Sequence, residues 1–197
     1  EIIESAIQKK KPSWDKFCGE YQASFRGLYQ RYKKHNIFGD VAQEQVEKTV
    51  YGCYPLHPVS TFILPRLSER VAQNERTLFT FISAPGNSTL PAFLDKYEDD
   101  HFEVITPDLI YDYFEPLFKK EVYGGSIHEN YMLSELILEK LSDESLEKKI
   151  VKTLALVYIL EQFEKLRPSK DELISIYSIS YSPEEINQAI DNLIEKE

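Results

Sequence analysis

The stretch PVSTFILPRLSERVAQNERTLFTFIS, residues 58–83, decides how the chain is read. Val59, Phe62, Ile63, Leu67 and Val71 recur at three- and four-residue steps. That spacing gathers apolar side chains on one face of an α-helix. Leu78, Phe81 and Ile82 form a second stripe, and Gln73-Asn74-Glu75 between the two reads as a turn. Pro65 is the irregular point. It either kinks the first helix or lies in its first turn.

The same period extends upstream. Phe25, Leu28, Tyr29 and Tyr32 predict a helix within about 20–34. Ile37-Phe38-Gly39-Asp40 breaks it, and Asp40 is placed to cap a short helix over 41–48. Gly and Pro make Tyr51-Gly52-Cys53-Tyr54-Pro55 an extended or turn-like connector.

Downstream, residues 83–88 form a loop, followed by a short helix near 90–97 and the acidic patch Glu98-Asp99-Asp100. Phe102 to Ile105 reads as extended, and Thr106-Pro107-Asp108 as a helix start. Gly124-Gly125-Ser126 is a turn, and two longer helices are expected over 127–141 and 143–165, the second ended by Arg167-Pro168. Ser169-x-x-Glu172 is a capping box, and Ser182-Pro183-Glu184-Glu185 starts another helix, with Ile186, Ala189, Ile190 and Leu193 as its stripe. This order is that of a winged helix lacking its wing. The expected fold is mainly α: an N-terminal helical connector over 1–50, a helical lid-like bundle over 51–165 and a truncated winged-helix-like segment over 166–197. A start at Glu1 without Met and a stop at Glu197 inside a helix lead us to expect a piece of a longer protein.

Composition narrows the function classes. The 197 residues carry 23 basic and 33 acidic side chains, a formal charge of −10, with 42% hydrophobic residues and only 7 Gly. This is a globular balance, and it opposes a general nucleic-acid sleeve, which needs excess Lys and Arg. The acidity lies mostly beyond residue 100, so the last helix, with Glu184, Glu185, Asp191 and Glu195, is poorly suited to DNA. A basic strip remains at Lys9-Lys10-Lys11 with Arg31, Lys33 and Lys34. No apolar run spans a bilayer and no signal peptide opens the chain, so a cytoplasmic protein with no membrane partner is expected. Cys18 and Cys53 read as ordinary thiols, with a Cys18–Cys53 bridge as the alternative.

Catalytic and metal signatures are sparse. There is no Gly-x-x-x-x-Gly-Lys phosphate loop, and His35, His57, His101 and His128 have no metal-binding spacing. The sharpest candidate is Arg76, at the start of a helix whose dipole disfavours a cation there. It answers either to an anionic ligand, which guanidinium binds bidentately, or to a carboxylate such as Glu69 or Glu75. The strip Tyr21, Phe25, Tyr29 and Tyr32 is either core or a partner surface.

Tyr54-Pro55-Leu56-His57-Pro58, Leu67-Ser68-Glu69-Arg70 and the run from Gln73 to Ser83 together resemble a segment of large bacterial P-loop ATPases of the AAA+/STAND kind, including BREX-like phage-defence proteins. There it lies just after the nucleotide-binding core, where the helical lid begins. The resemblance implies a non-catalytic lid or regulatory fragment. Arg76, with Asn74 and Arg70, would sense ATP held with Mg in an upstream nucleotide-binding domain of the same chain. The fragment itself would hold no cofactor and would not hydrolyse ATP. The alternative is a helical protein–protein interaction scaffold with no nucleotide role.

Overall fold

A computed structural model of the chain describes residues 2–72, 75–97 and 101–195, with nothing described of the side chains of Ala72 and Glu75. Gln73, Asn74 and the patch Glu98-Asp99-Asp100 lie outside the described residues, so the turn and the acidic patch expected there do too. The architecture is mainly α. Its helices are α1 (Ile2–Ala6), α2 (Ser13–Glu20), α3 (Gln22–Tyr32), α4 (Gln43–Gly52), α5 (Pro58–Leu67), α6 (Glu75–Ser83), α7 (Leu90–Lys96), α8 (Pro107–Phe118), α9 (Ser126–Leu138), α10 (Leu146–Leu160), α11 (Lys170–Tyr177) and α12 (Pro183–Glu195).

Two helices organise the rest. α5 is buried on nearly every side, through Val59, Ser60, Phe62, Ile63, Leu64 and Leu67, and packs against α4, α6, α8 and α10. α10 in turn packs against α5, α8, α9 and α12. Buried residues from Ile3 to Ala189 join one core, so all three expected segments contribute to it.

Pro65 lies inside α5, not in its first turn, which Pro58 occupies. Proline has no N–H to give to the preceding turn. The helix passes directly into a π turn over Ser68–Ala72 that lengthens it and carries Arg70.

Several element bounds differ from the sequence reading. α4 begins at Gln43, with Ala42 at its N-cap and no side-chain cap, so Asp40 does not cap it. The same helix runs through Tyr51 and Gly52, which replaces the first half of the expected connector. The expected helix over 143–165 is shorter: Ser145 caps α10 by accepting from the Lys148 N–H, and Glu161 ends it in the left-handed region at φ 55°. The extended piece is present as a parallel bridge between Leu56 and Ile105, closed by Ile105 N–H to the Pro55 carbonyl at 2.8 Å and His57 N–H to the Ile105 carbonyl at 3.1 Å.

The two capping boxes differ in completeness. Ser182 accepts from the Glu185 N–H at 3.2 Å and Glu185 accepts from the Ser182 N–H at 2.8 Å. Ser169 likewise accepts from the Glu172 N–H, but the Glu172 carboxylate leaves the box and reaches His35 at 2.7 Å. Of the strip Tyr21, Phe25, Tyr29 and Tyr32, Phe25 and Tyr32 are fully buried in the core, Tyr21 packs against it, and Tyr29 is half-buried with its hydroxyl reaching Gln43.

Candidate functional site

The arginines of the opening stretch differ in what they touch. Arg66 folds back on its own helix, donating to the Phe62 carbonyl at 3.0 Å with its guanidinium 3.8 Å from the Phe62 ring centre. Burial lowers its pKa. Arg70 sits in the π turn and pairs with Glu161 at 2.7 Å. Asn74 lies outside the described residues. Arg76 occupies the first turn of α6 and is exposed.

The basic strip is also divided. Arg31 donates to the Ser175 carbonyl at 3.2 Å and to the Ser178 hydroxyl, holding α3 against α11. Lys9 turns inward. Its amine lies 4.4 Å from the centre of the Trp14 ring and 5.6 Å from that of Tyr54, and donates to the Tyr54 carbonyl. Burial lowers its pKa to about 8. Lys9 opens onto a groove of about 640 Å³, lined among others by Lys10, Trp14, Phe17, Tyr54 and Phe93. Beneath it an aromatic cluster centres on Phe25, which stacks on Tyr51 at 4.5 Å and meets Phe102 edge-on at 4.9 Å. Chemically the groove offers an amine with a substantial neutral fraction near physiological pH.

A second polar group lies inside the fold, where α3 meets α5 and α11. The Tyr32 ring stands 5.1 Å from His35 and 5.2 Å from His57. His35 Nδ1 accepts from the Ile37 N–H, which leaves Nε2 to donate to Glu172. His57 is the N-cap of α5 and accepts from the Val59 N–H at Nδ1, so its hydrogen is on Nε2. Burial, with Arg31 and His35 adding to it, lowers the His57 pKa to about 3. Ser60, three residues on, is also fully buried, and neither its Oγ nor His57 Nε2 has a hydrogen-bond partner among the described residues. His57 thus caps a helix.

The feature that sequence reasoning missed is the outer face of α9. Tyr131, Ser134 and Leu138 face the core, while Met132, Leu133, Leu136 and Ile137 are 45%, 59%, 56% and 38% exposed. Val122 and Tyr123, just before the helix, are more exposed still, and the Tyr123 ring lies 5.3 Å from His128. The signal was present in the sequence: Ile127 to Leu138 carries more apolar residues than one buried face can hold.

Among the described residues no group of three or more His, Cys, Asp or Glu side chains is arranged to hold a metal ion, and no helix is long and apolar enough to cross a membrane. Cys18 and Cys53 are both free thiols, with Cys53 buried. No family model matches the chain, and neither does any curated protein or solved structure.

Proposed function

We propose that the chain is a helical protein-interaction module that docks through α9. The observation carrying this reading is the set Met132, Leu133, Leu136 and Ile137, exposed together on one helix whose other face is already packed on α8 and α10. A helix at the surface ordinarily turns polar residues outward. Each apolar side chain left in water forgoes about 25 cal/mol per Å² of burial, which a second protein surface supplies.

A photo-crosslinking residue in place of Leu136 tests the reading in cells. The expected result is a discrete adduct, absent when the same residue replaces exposed Glu184 on α12. No adduct from position 136 would remove α9 as an interaction face.

A second reading, the lid of a larger P-loop ATPase, is favoured by the exposure of Arg76 in the first turn of α6. ATP and Mg would then belong to an upstream nucleotide-binding domain. Arg76→Ala in the full-length protein is expected to raise the KM for ATP or lower turnover, and unchanged ATP kinetics would refute the sensor role.

A further inference from the structure

We propose that α9 pairs with the α9 of a second copy of this chain, antiparallel about a two-fold axis. The inference rests on the reading of α9 as an interaction face, and it is carried by how that face repeats when reversed. At 3.6 residues per turn, Glu129, Met132, Leu133, Leu136 and Ile137 fall within about 140° of arc, and Lys140, two residues past the end of α9 in a turn bonded to the Ile137 carbonyl, continues the same side. Glu129 and Lys140 are both exposed and lie near the middle of that arc, one at each end of the apolar strip.

Two copies of the face fit each other when the axis passes between Ser134 and Glu135 along the helix. Leu133 then stands opposite Leu136 of the second copy, while Met132 and Ile137 lie at the two edges of the strip, beside Leu136 and Leu133 of the second copy. In the same register Glu129 stands opposite Lys140, so the strip is closed at both ends by opposite charges. A two-fold interface uses the same patch twice, and each such match therefore occurs twice. A parallel pairing lacks this property. It sets Glu129 against Glu129 and Lys140 against Lys140, and like charges across an interface disfavour the arrangement.

The face is one helix wide, which puts the contact at the small end of protein interfaces, under about 1,200 Å², where association is weak and reversible. Tyr123, against His128 one turn before Met132, extends the rim of the strip beyond the helix itself.

Sedimentation of the purified chain over a wide concentration range tests the pairing. The average mass is expected to rise from 23.0 kDa toward twice that value. Leu133→Asp should abolish the rise. Glu129→Lys or Lys140→Glu alone should weaken association about tenfold or more, because each places two like-charge pairs in the dimer. The doubly reversed variant Glu129→Lys/Lys140→Glu should restore it. These positions are on the surface, so circular dichroism should show the wild-type helical signal in each variant.

A chain that keeps a single mass at every concentration overturns the self-pairing. Dimerisation that ignores the charge reversals, or that the double reversal fails to restore, overturns the antiparallel α9 register. If sedimentation shows only monomer while the crosslinker at position 136 still gives an adduct of another mass, the interaction face stands and its self-pairing falls. If position 136 gives no adduct at all, the face itself falls.

Discussion

Arg70 and Glu161, 91 positions apart, meet at 2.7 Å and tie the π turn after α5 to the left-handed residue that ends α10. Both side chains are substantially solvated, so the pair adds little to stability, about 0.2–1 kcal/mol. Arg70→Ala should therefore lower the urea midpoint only slightly, with an unchanged m-value. Under the reading of the chain as a P-loop ATPase lid, the same variant separates two roles. A phosphate ligand would lose nucleotide affinity on substitution, whereas a strut between α5 and α10 would not.

Tyr177 is a stronger tie. Its buried hydroxyl lies 2.7 Å from the Thr153 hydroxyl, 2.8 Å from the Lys149 carbonyl and 3.2 Å from Asp108, joining α11 to α10 and α8. Tyr177→Phe keeps the ring and leaves these groups short of a partner. The expected loss is about 1–3 kcal/mol, read from chemical unfolding. A loss below a few tenths would show that the hydroxyl network is not part of what holds α11 in place.

Local chemistry was legible in the sequence, and long-range contacts were not. Ser169 and Ser182 announce α11 and α12 because a cap is written within four residues. The end of α10 was misread because Glu161 takes the left-handed conformation, which no glycine or asparagine there announces. Gly52 read as a breaker, yet it closes α4 beside α1: a Cβ there would lie 2.7 Å from Cγ of Glu4. Periodicity also fails to say which stripe faces inward. Phe25 and Tyr32 of α3 became core, while α9, whose apolar residues look like core, turned four of them to solvent. Of the proposed site, the place of Arg76 at a helix start was legible, and the engagement of Arg70 elsewhere was not.

Lys9 should be the most reactive lysine of the N-terminal strip. With a pKa of about 8, roughly a quarter of its amines are neutral at pH 7.5, against roughly 0.1% for an ordinary lysine. Lys10 is exposed and next in sequence, so it is an internal reference. Brief reductive methylation at pH 7.5, followed by mass spectrometry, should modify Lys9 well ahead of Lys10. Preference for Lys10 would mean that the Lys9 amine stays charged or is shielded from the groove.

His57 should set part of the acid limit of stability. Its pKa is about 3 in the fold and near 6.5 when unfolded, chiefly because burial penalises the imidazolium. Between these values the unfolded chain binds a proton that the folded chain does not. Stability is therefore intact above about pH 6.5 and falls as pH drops toward 3, by up to ~1.4 kcal/mol per pH unit from this group. His57→Asn keeps an N-cap acceptor for the Val59 N–H and removes the titration. At pH 7 the variant should be less stable by about 1–3 kcal/mol, because the side chain no longer fills its buried site. Its disadvantage should shrink as pH falls from 6.5 to 4.5, since the rest of the sequence is the same in both proteins. Urea unfolding at pH 7, 5.5 and 4.5 reads this difference directly. A gap that stays constant across those three values would mean that His57 is not held neutral by the fold, and that its place behind Tyr32 admits water or a compensating charge.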